Sequence, residues 1–128
     1  MSGAIAPDDS WRLLPNAPAR GTLLPVFDTL APGEAREVRF GVGRSSFSLI
    51  AVALDGDARA YVNRCPHFGL PLNAEPDTFI GERGLLRCFR HFALFRLEDG
   101  HCVLGACEGE ALEPIPIVRE ETGAMRIG

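Results

Sequence analysis

Ser46-Phe47-Ser48-Leu49-Ile50-Ala51-Val52-Ala53-Leu54-Asp55-Gly56-Asp57-Ala58-Arg59-Ala60-Tyr61-Val62 decides the fold class. Apolar and aromatic residues dominate both halves, and the Asp-Gly pair between them favours a tight reversal. Residues 51–54 and 59–62 therefore read as a β-hairpin, with the first strand extending back to residue 46. Working outward, the same short runs recur between Gly, Pro and Asp: residues 23–27 and 37–40 before it, and 85–87, 94–97 and 102–104 after it. Residues 115–119 and 124–127 form a last candidate pair around Glu121-Thr122-Gly123. No segment sustains an apolar 3.6-residue period over three turns, so helices should be few. The pattern predicts an all-β domain of short antiparallel strands, a sandwich or partial barrel.

At 128 residues the chain suits a single domain that can bury a core without disulfide staples. Its 46% hydrophobic and 23% charged residues are those of an ordinary globular protein. A formal charge of −4 speaks against nucleic acid as the partner. All thirteen basic residues are Arg, and they do not cluster into a stripe. No stretch approaches the roughly 20 apolar residues of a membrane helix. The opening MSGAIAPDDSWRLLPN has neither a basic start nor an apolar stretch after it, so the expected location is the cytoplasm. Residues 1–20, rich in Pro, Ala and Asp, read as a partly flexible leader over the surface, and residues 21–128 as the domain.

The chemistry lies in two short pairs. Cys65 and His67 flank Pro66, and Cys88 and His91 flank Phe89 and Arg90. Thiolate sulfur and imidazole nitrogen are the ligands that iron and zinc prefer. A lone Cys or His is ordinarily a packing residue, but two of the chain's three histidines fall into this repeated order. Zinc modules typically place two Cys together and two His together. One Cys followed by one His, twice, suits a binuclear cluster with two Cys on one iron and two His on the other. Cys102 and Cys107 read as buried small hydrophobes, and His101, beside a Gly turn, as a solvated residue. Glu75, Asp77, Glu82, Glu98, Asp99, Glu108, Glu110 and Glu113 read as a solvated face.

These motifs resemble those of the Rieske family. Cys65-Pro66-His67-Phe68-Gly69-Leu70-Pro71-Leu72 is similar to its first cluster loop, C-x-H-x-G-x-x-L, and Cys88-x-x-His91 to its second. Gly105-Ala106-Cys107-Glu108-Gly109-Glu110-Ala111-Leu112 resembles the third loop that covers the cluster. The resemblance implies stacked antiparallel sheets with a small cluster-binding subdomain, here about residues 63–108. It implies a 2Fe–2S cluster with Cys65 and Cys88 on the inner iron and His67 and His91 on the outer. The chain departs from the family's second loop at Phe89 and Phe92, where Pro and Gly are usual, so Phe92 either reshapes that loop or packs over the cluster. In high-potential members an extra Cys in each loop forms a bridge; those places hold Leu70 and Arg90 here.

Function follows from ligand charge. Replacing two thiolates by neutral imidazoles makes the cluster easier to reduce, raising its potential to about −150 to +300 mV from about −400 mV. The sequence holds no mononuclear iron motif, nucleotide fingerprint or Ser/His/Asp constellation, and so no catalytic site of its own. The resemblance implies a soluble ferredoxin passing single electrons from a flavin-dependent reductase to a terminal oxygenase. The alternatives are a redox subunit of a larger reductase and a structural zinc-binding module.

Overall fold

The computed structural model describes residues 7–66, 69–89, 93–105 and 107–128. Eight strands run in the order β1 (Ala35–Phe40), β2 (Phe47–Leu54), β3 (Asp57–Val62), β4 (Leu86–Arg87), β5 (Leu94–Phe95), β6 (Cys102–Leu104), β7 (Ile117–Arg119) and β8 (Met125–Ile127). Among the described residues the only helical segments are short 3-10 turns. The strands make three antiparallel sheets, β1-β2-β3, β4-β5-β6 and β7-β8, none closed into a barrel. The all-β expectation holds, and so does the hairpin: Leu54 pairs with Asp57 across Asp55-Gly56.

β2 explains the layering. Its side chains alternate between faces, yet both faces are buried. Ile50 and Val52 enter one core with Tyr61, Leu72, Leu86, Phe95 and Cys102. Leu49 and Ala51 enter the other with Trp11, Phe47, Ala60, Ile115 and Ile127. The first sheet is therefore the middle layer, with β4-β5-β6 on one side and β7-β8 plus the N-terminal segment on the other. A strand covered on both faces reads as a continuous apolar run rather than an alternating one, as FSLIAVAL does. Each of Leu49, Ile50 and Val52 is wholly inaccessible, and each such burial contributes about 1.5–3 kcal/mol.

Trp11 lies within the second core, tilted against Phe47 at a 6.0 Å ring separation. Nothing in the Pro- and Ala-rich pattern around it signals this. Glu113 fastens the same segment, accepting hydrogen bonds from Ser10 Oγ at 2.8 Å and the Trp11 N–H at 3.0 Å. Its other oxygen accepts from Arg64 at 2.9 Å.

Several expected strands are shorter or absent: 85–87 pairs only over Leu86–Arg87 and 94–97 only over Leu94–Phe95. Residues 23–27 make a single bridge, Leu23 to Arg126, before a 3-10 turn over Pro25–Asp28. Pro25 carries no N–H and fixes φ near a helical value, so it starts a turn where a strand would need a donor. In the last hairpin, Pro116 likewise delays β7 to Ile117. The Ile115 N–H goes instead to the Ala60 carbonyl at 2.8 Å, extending the edge of β3.

Tyr61 joins the two layers that flank the first core. Its hydroxyl, buried, donates to the Leu97 carbonyl at 2.6 Å. Burial raises the phenol's pKa, which keeps it a donor at any physiological pH. Tyr61→Phe leaves that carbonyl without its partner, so unfolding free energy should fall by about 1–3 kcal/mol. Urea denaturation of the two proteins measures the difference.

Candidate cluster site

β3 runs directly into the first loop. The Cys65 carbonyl accepts the Gly69 N–H at 2.7 Å, and the Cys65 N–H donates to the Leu70 carbonyl at 2.7 Å. The loop thus folds back on Cys65 and reverses at Gly69, whose φ of +70° is costly for any residue with a Cβ. Leu72 then returns the chain to the core. The second loop sits between β4 and β5, where the Cys88 N–H donates to the Ala93 carbonyl at 2.9 Å. Among the described residues a backbone bond joins the two loops, from the Phe89 N–H to the Leu72 carbonyl at 3.1 Å.

Cys65 and Cys88 are fully buried and belong to the same apolar core. This fits a pair of thiolates shielded from water around an inner iron. His67 and His91 lie outside the described residues, as do Phe68, Arg90, Phe92 and Ala106. The expectations placed on Phe92 and Arg90 therefore lie outside them too. Leu70, at the other place considered for a bridging cysteine, is exposed.

The third loop packs down onto the second. A Cβ added to Gly105 would stand 2.9 Å from the Ala93 Cα, so only glycine permits this approach. Cys107 is wholly buried beside the sulfurs of Cys102 and Cys65. Burial, reinforced by those neighbouring sulfurs, pushes its thiol pKa well up, so it stays protonated. Among the described residues no disulfide is formed by Cys65, Cys88, Cys102 or Cys107. Among the described residues no three Cys, His, Asp or Glu side chains are grouped to hold a metal ion. His101 is exposed; its N–H donates to Asp99 Oδ1 at 2.9 Å, its carbonyl accepts the Arg96 N–H at 2.9 Å, and its backbone bridges to Ala111.

The acidic residues near these loops divide. Asp99 pairs with Arg96 on the surface. Asp77 accepts the Glu37 N–H at 2.8 Å and Glu113 accepts from three donors, so these two are structural. The sequence reading missed Glu37 itself. It sits on β1 with its side chain only 10% exposed. Burial opposes its ionisation, but hydrogen bonds from Ser48, Asn73 and Arg39 outweigh that and hold the carboxyl below its ordinary value of 4.5. Asn63, nearly buried and two residues before Cys65, was likewise not evident.

Residues 25–119 match the family model of the Rieske [2Fe-2S] domain. No curated protein sequence matches the chain. Among solved structures, the ferredoxin of carbazole 1,9a-dioxygenase from Nocardioides aromaticivorans IC177 is similar at a TM-score of 0.57 and 20% identity, covering 88% of this chain and 97% of that one. The Sphingomonas yanoikuyae B1 ferredoxin gives a TM-score of 0.54 at 17% identity, covering 87% and 97% respectively. A complex of oxygenase and ferredoxin of carbazole 1,9a-dioxygenase gives 0.62 at 20% identity, covering 94% of this chain but 30% of the matched one.

Because the folded Glu37 pKa lies below 4.5, its ionised form stabilises the fold above that pH, and this contribution is lost as pH falls through the folded value. The stability difference between the natural chain and Glu37→Gln should shrink with acidification below pH 4.5. Urea unfolding across that range measures it; a gap that widens on acidification would contradict the assignment.

Proposed function

Since the chain belongs to the Rieske [2Fe-2S] domain family, we propose that it is a one-electron carrier delivering electrons from a flavin-dependent reductase to a terminal oxygenase. The observation that carries this reading is the pair of wholly buried cysteines, Cys65 and Cys88, on two loops joined by a backbone bond within the family-matched region. The family's cofactor is a Rieske-type 2Fe–2S cluster, which supplies reversible one-electron chemistry when bound. Cys65 and Cys88 would hold its inner iron, and His67 and His91 its outer one. The zinc-module alternative falls with the family match. The oxygenase partner is supported by the similar fold of a chain of matching size, covered to 92%, in the complex of reduced oxygenase and oxidized ferredoxin in carbazole 1,9a-dioxygenase.

We take residues 21–128 as the strand-bearing domain, with the cluster-binding subdomain at about 63–108, and residues 1–20 as a leader whose Trp11 is packed into the domain's second core. The Gly21 N–H to Ile127 carbonyl bond at 2.8 Å supports the first boundary, because it closes the domain's ends on each other. We also propose a cytoplasmic location, because four cysteines read as metal-binding and packing residues rather than disulfides suit a reducing compartment. No described helix is long and apolar enough to cross a membrane.

Anaerobically purified protein should contain about two iron and two sulfide per chain and be red-brown. Colourless protein with stoichiometric zinc would overturn the reading. Ala at Cys65, His67, Cys88 or His91 should abolish the chromophore, whereas Cys102→Ser and Cys107→Ser should keep it. Loss of colour in folded Cys107→Ser alone would put Cys107 into the ligand set.

The reduction potential should lie at the low end of the Rieske range, about −150 mV. Hydrogen bonds to cluster sulfurs raise such potentials, and the buried Ala93 and Phe95, matching the hydroxyl-bearing places of high-potential members, offer none. Protein-film voltammetry near neutral pH tests this, with a value above about +100 mV against it. Ala93→Ser and Phe95→Tyr should each shift the potential upward.

A further inference from the structure

Asn63 sits at the mouth of the first cluster loop with its amide oxygen and both amide hydrogens engaged. Its Oδ1 accepts the Leu72 N–H at 2.9 Å, joining the start of the loop to its end. Its Nδ2 donates to Ser48 Oγ at 3.0 Å and to Asn73 Oδ1 at 2.8 Å. Both of those residues are held by one carboxylate. Ser48 Oγ donates to Glu37 Oε2 at 2.5 Å, and Asn73 Nδ2 donates to Glu37 Oε1 at 3.1 Å. Arg39 Nε adds a bond to Glu37 Oε2 at 3.1 Å. The chain of bonds continues beyond Asn63, because the Leu72 carbonyl accepts the Phe89 N–H beside Cys88.

An unbroken path therefore runs from a charge on the rigid first sheet, through Asn63, to the one described backbone bond between the two cysteine loops. Such a network is stiff because each amide has one orientation that satisfies all of its partners, and because a buried polar group is costly to leave unpaired. We propose that Asn63, oriented by Glu37 through Ser48 and Asn73, is a positioning residue for the cluster. It closes the first loop and sets its register on the second, and so governs how firmly and in what geometry Cys65 and Cys88 hold the cluster. The inference rests on the Rieske reading proposed above and concerns what holds the two ligand loops in place.

The test uses the cluster-loaded full chain and the variants Asn63→Ala, Ser48→Ala and Asn73→Ala. Three readouts are compared: the rate of cluster loss under an iron chelator, the EPR g-values of the reduced protein, and the midpoint potential. Asn63→Ala should lose its cluster about tenfold faster or more, in line with other residues that support metal ligands, and should shift g-values and potential. Ser48→Ala and Asn73→Ala should move the same readouts in the same direction by less, since each leaves Asn63 one anchor. Asn63→Asp keeps the acceptor for Leu72 but loses both donors, and should fall between Asn63→Ala and the natural chain. A residue that only stabilises the fold would lower the melting temperature and leave g-values, potential and cluster lifetime within twofold of the natural chain; that result overturns the proposal. If Asn63→Ala does not fold, Ser48→Ala and Asn73→Ala decide by the same criteria. A natural chain that binds no iron would defeat the Rieske reading itself, whereas a loaded natural chain with indifferent variants would defeat only this inference.

Discussion

β2 must bury both of its faces, and the rest of the architecture is arranged to let it do so. Ile50 and Val52 on one side and Leu49 and Ala51 on the other leave no face for water. One sheet thus becomes the centre of three layers, and everything attached to it inherits its rigidity. The first cysteine loop leaves the end of β3, which pairs with β2 along its whole length from Leu49↔Val62 to Leu54↔Asp57. The second loop belongs to the small β4-β5-β6 sheet, whose Leu86 and Phe95 pack into the core that Ile50 and Val52 line. The two loops are fixed relative to each other because each is fixed to β2.

Apolar packing alone would hold these layers together without setting the loops to ångström accuracy, since van der Waals contacts are non-directional. The directional element is polar. Glu37 on the neighbouring β1, with Ser48, Asn73 and Asn63, converts the stiffness of the first sheet into a defined closure of the first loop. Burial would favour a neutral carboxyl, yet three donors keep Glu37 ionised. Tyr61 does the corresponding job between layers, tying β3 to the Leu97 carbonyl from within the core.

The four cysteines show how position separates roles that residue type cannot. All are buried, and none is in a disulfide. Cys65 and Cys88 stand where loops turn back toward their own backbone, Cys65 toward Leu70 and Cys88 toward Ala93. Cys102 lies on β6, and its thiol donates to the Leu104 carbonyl at 3.3 Å. Cys107 fills the space beneath the third loop, against Cys65 and Cys102.

The sequence by itself determined what is local. Alternating or continuous apolar runs and the Asp-Gly turn mark the β1-β2-β3 sheet, because strand pairing over a two-residue turn depends on near neighbours. The Cys-then-His spacing marks the ligand pairs, because each pair lies within one loop. Pro25 and Pro116 are local signals too, yet the expected strands at 23–27 and 115–119 ran through them, whereas the chain turns at Pro25 and β7 starts only at Ile117. Only the tertiary structure decided that Trp11 is core, that Glu113 binds Ser10, Trp11 and Arg64, and that Asn63 meets Ser48, Leu72 and Asn73. Ser10 and Glu113 stand 103 positions apart, and Glu37 and Asn73 stand 36 apart. A hydrogen bond needs its partners within about 3 Å in space, and no pattern along the chain encodes a distance that only the packing of three layers creates.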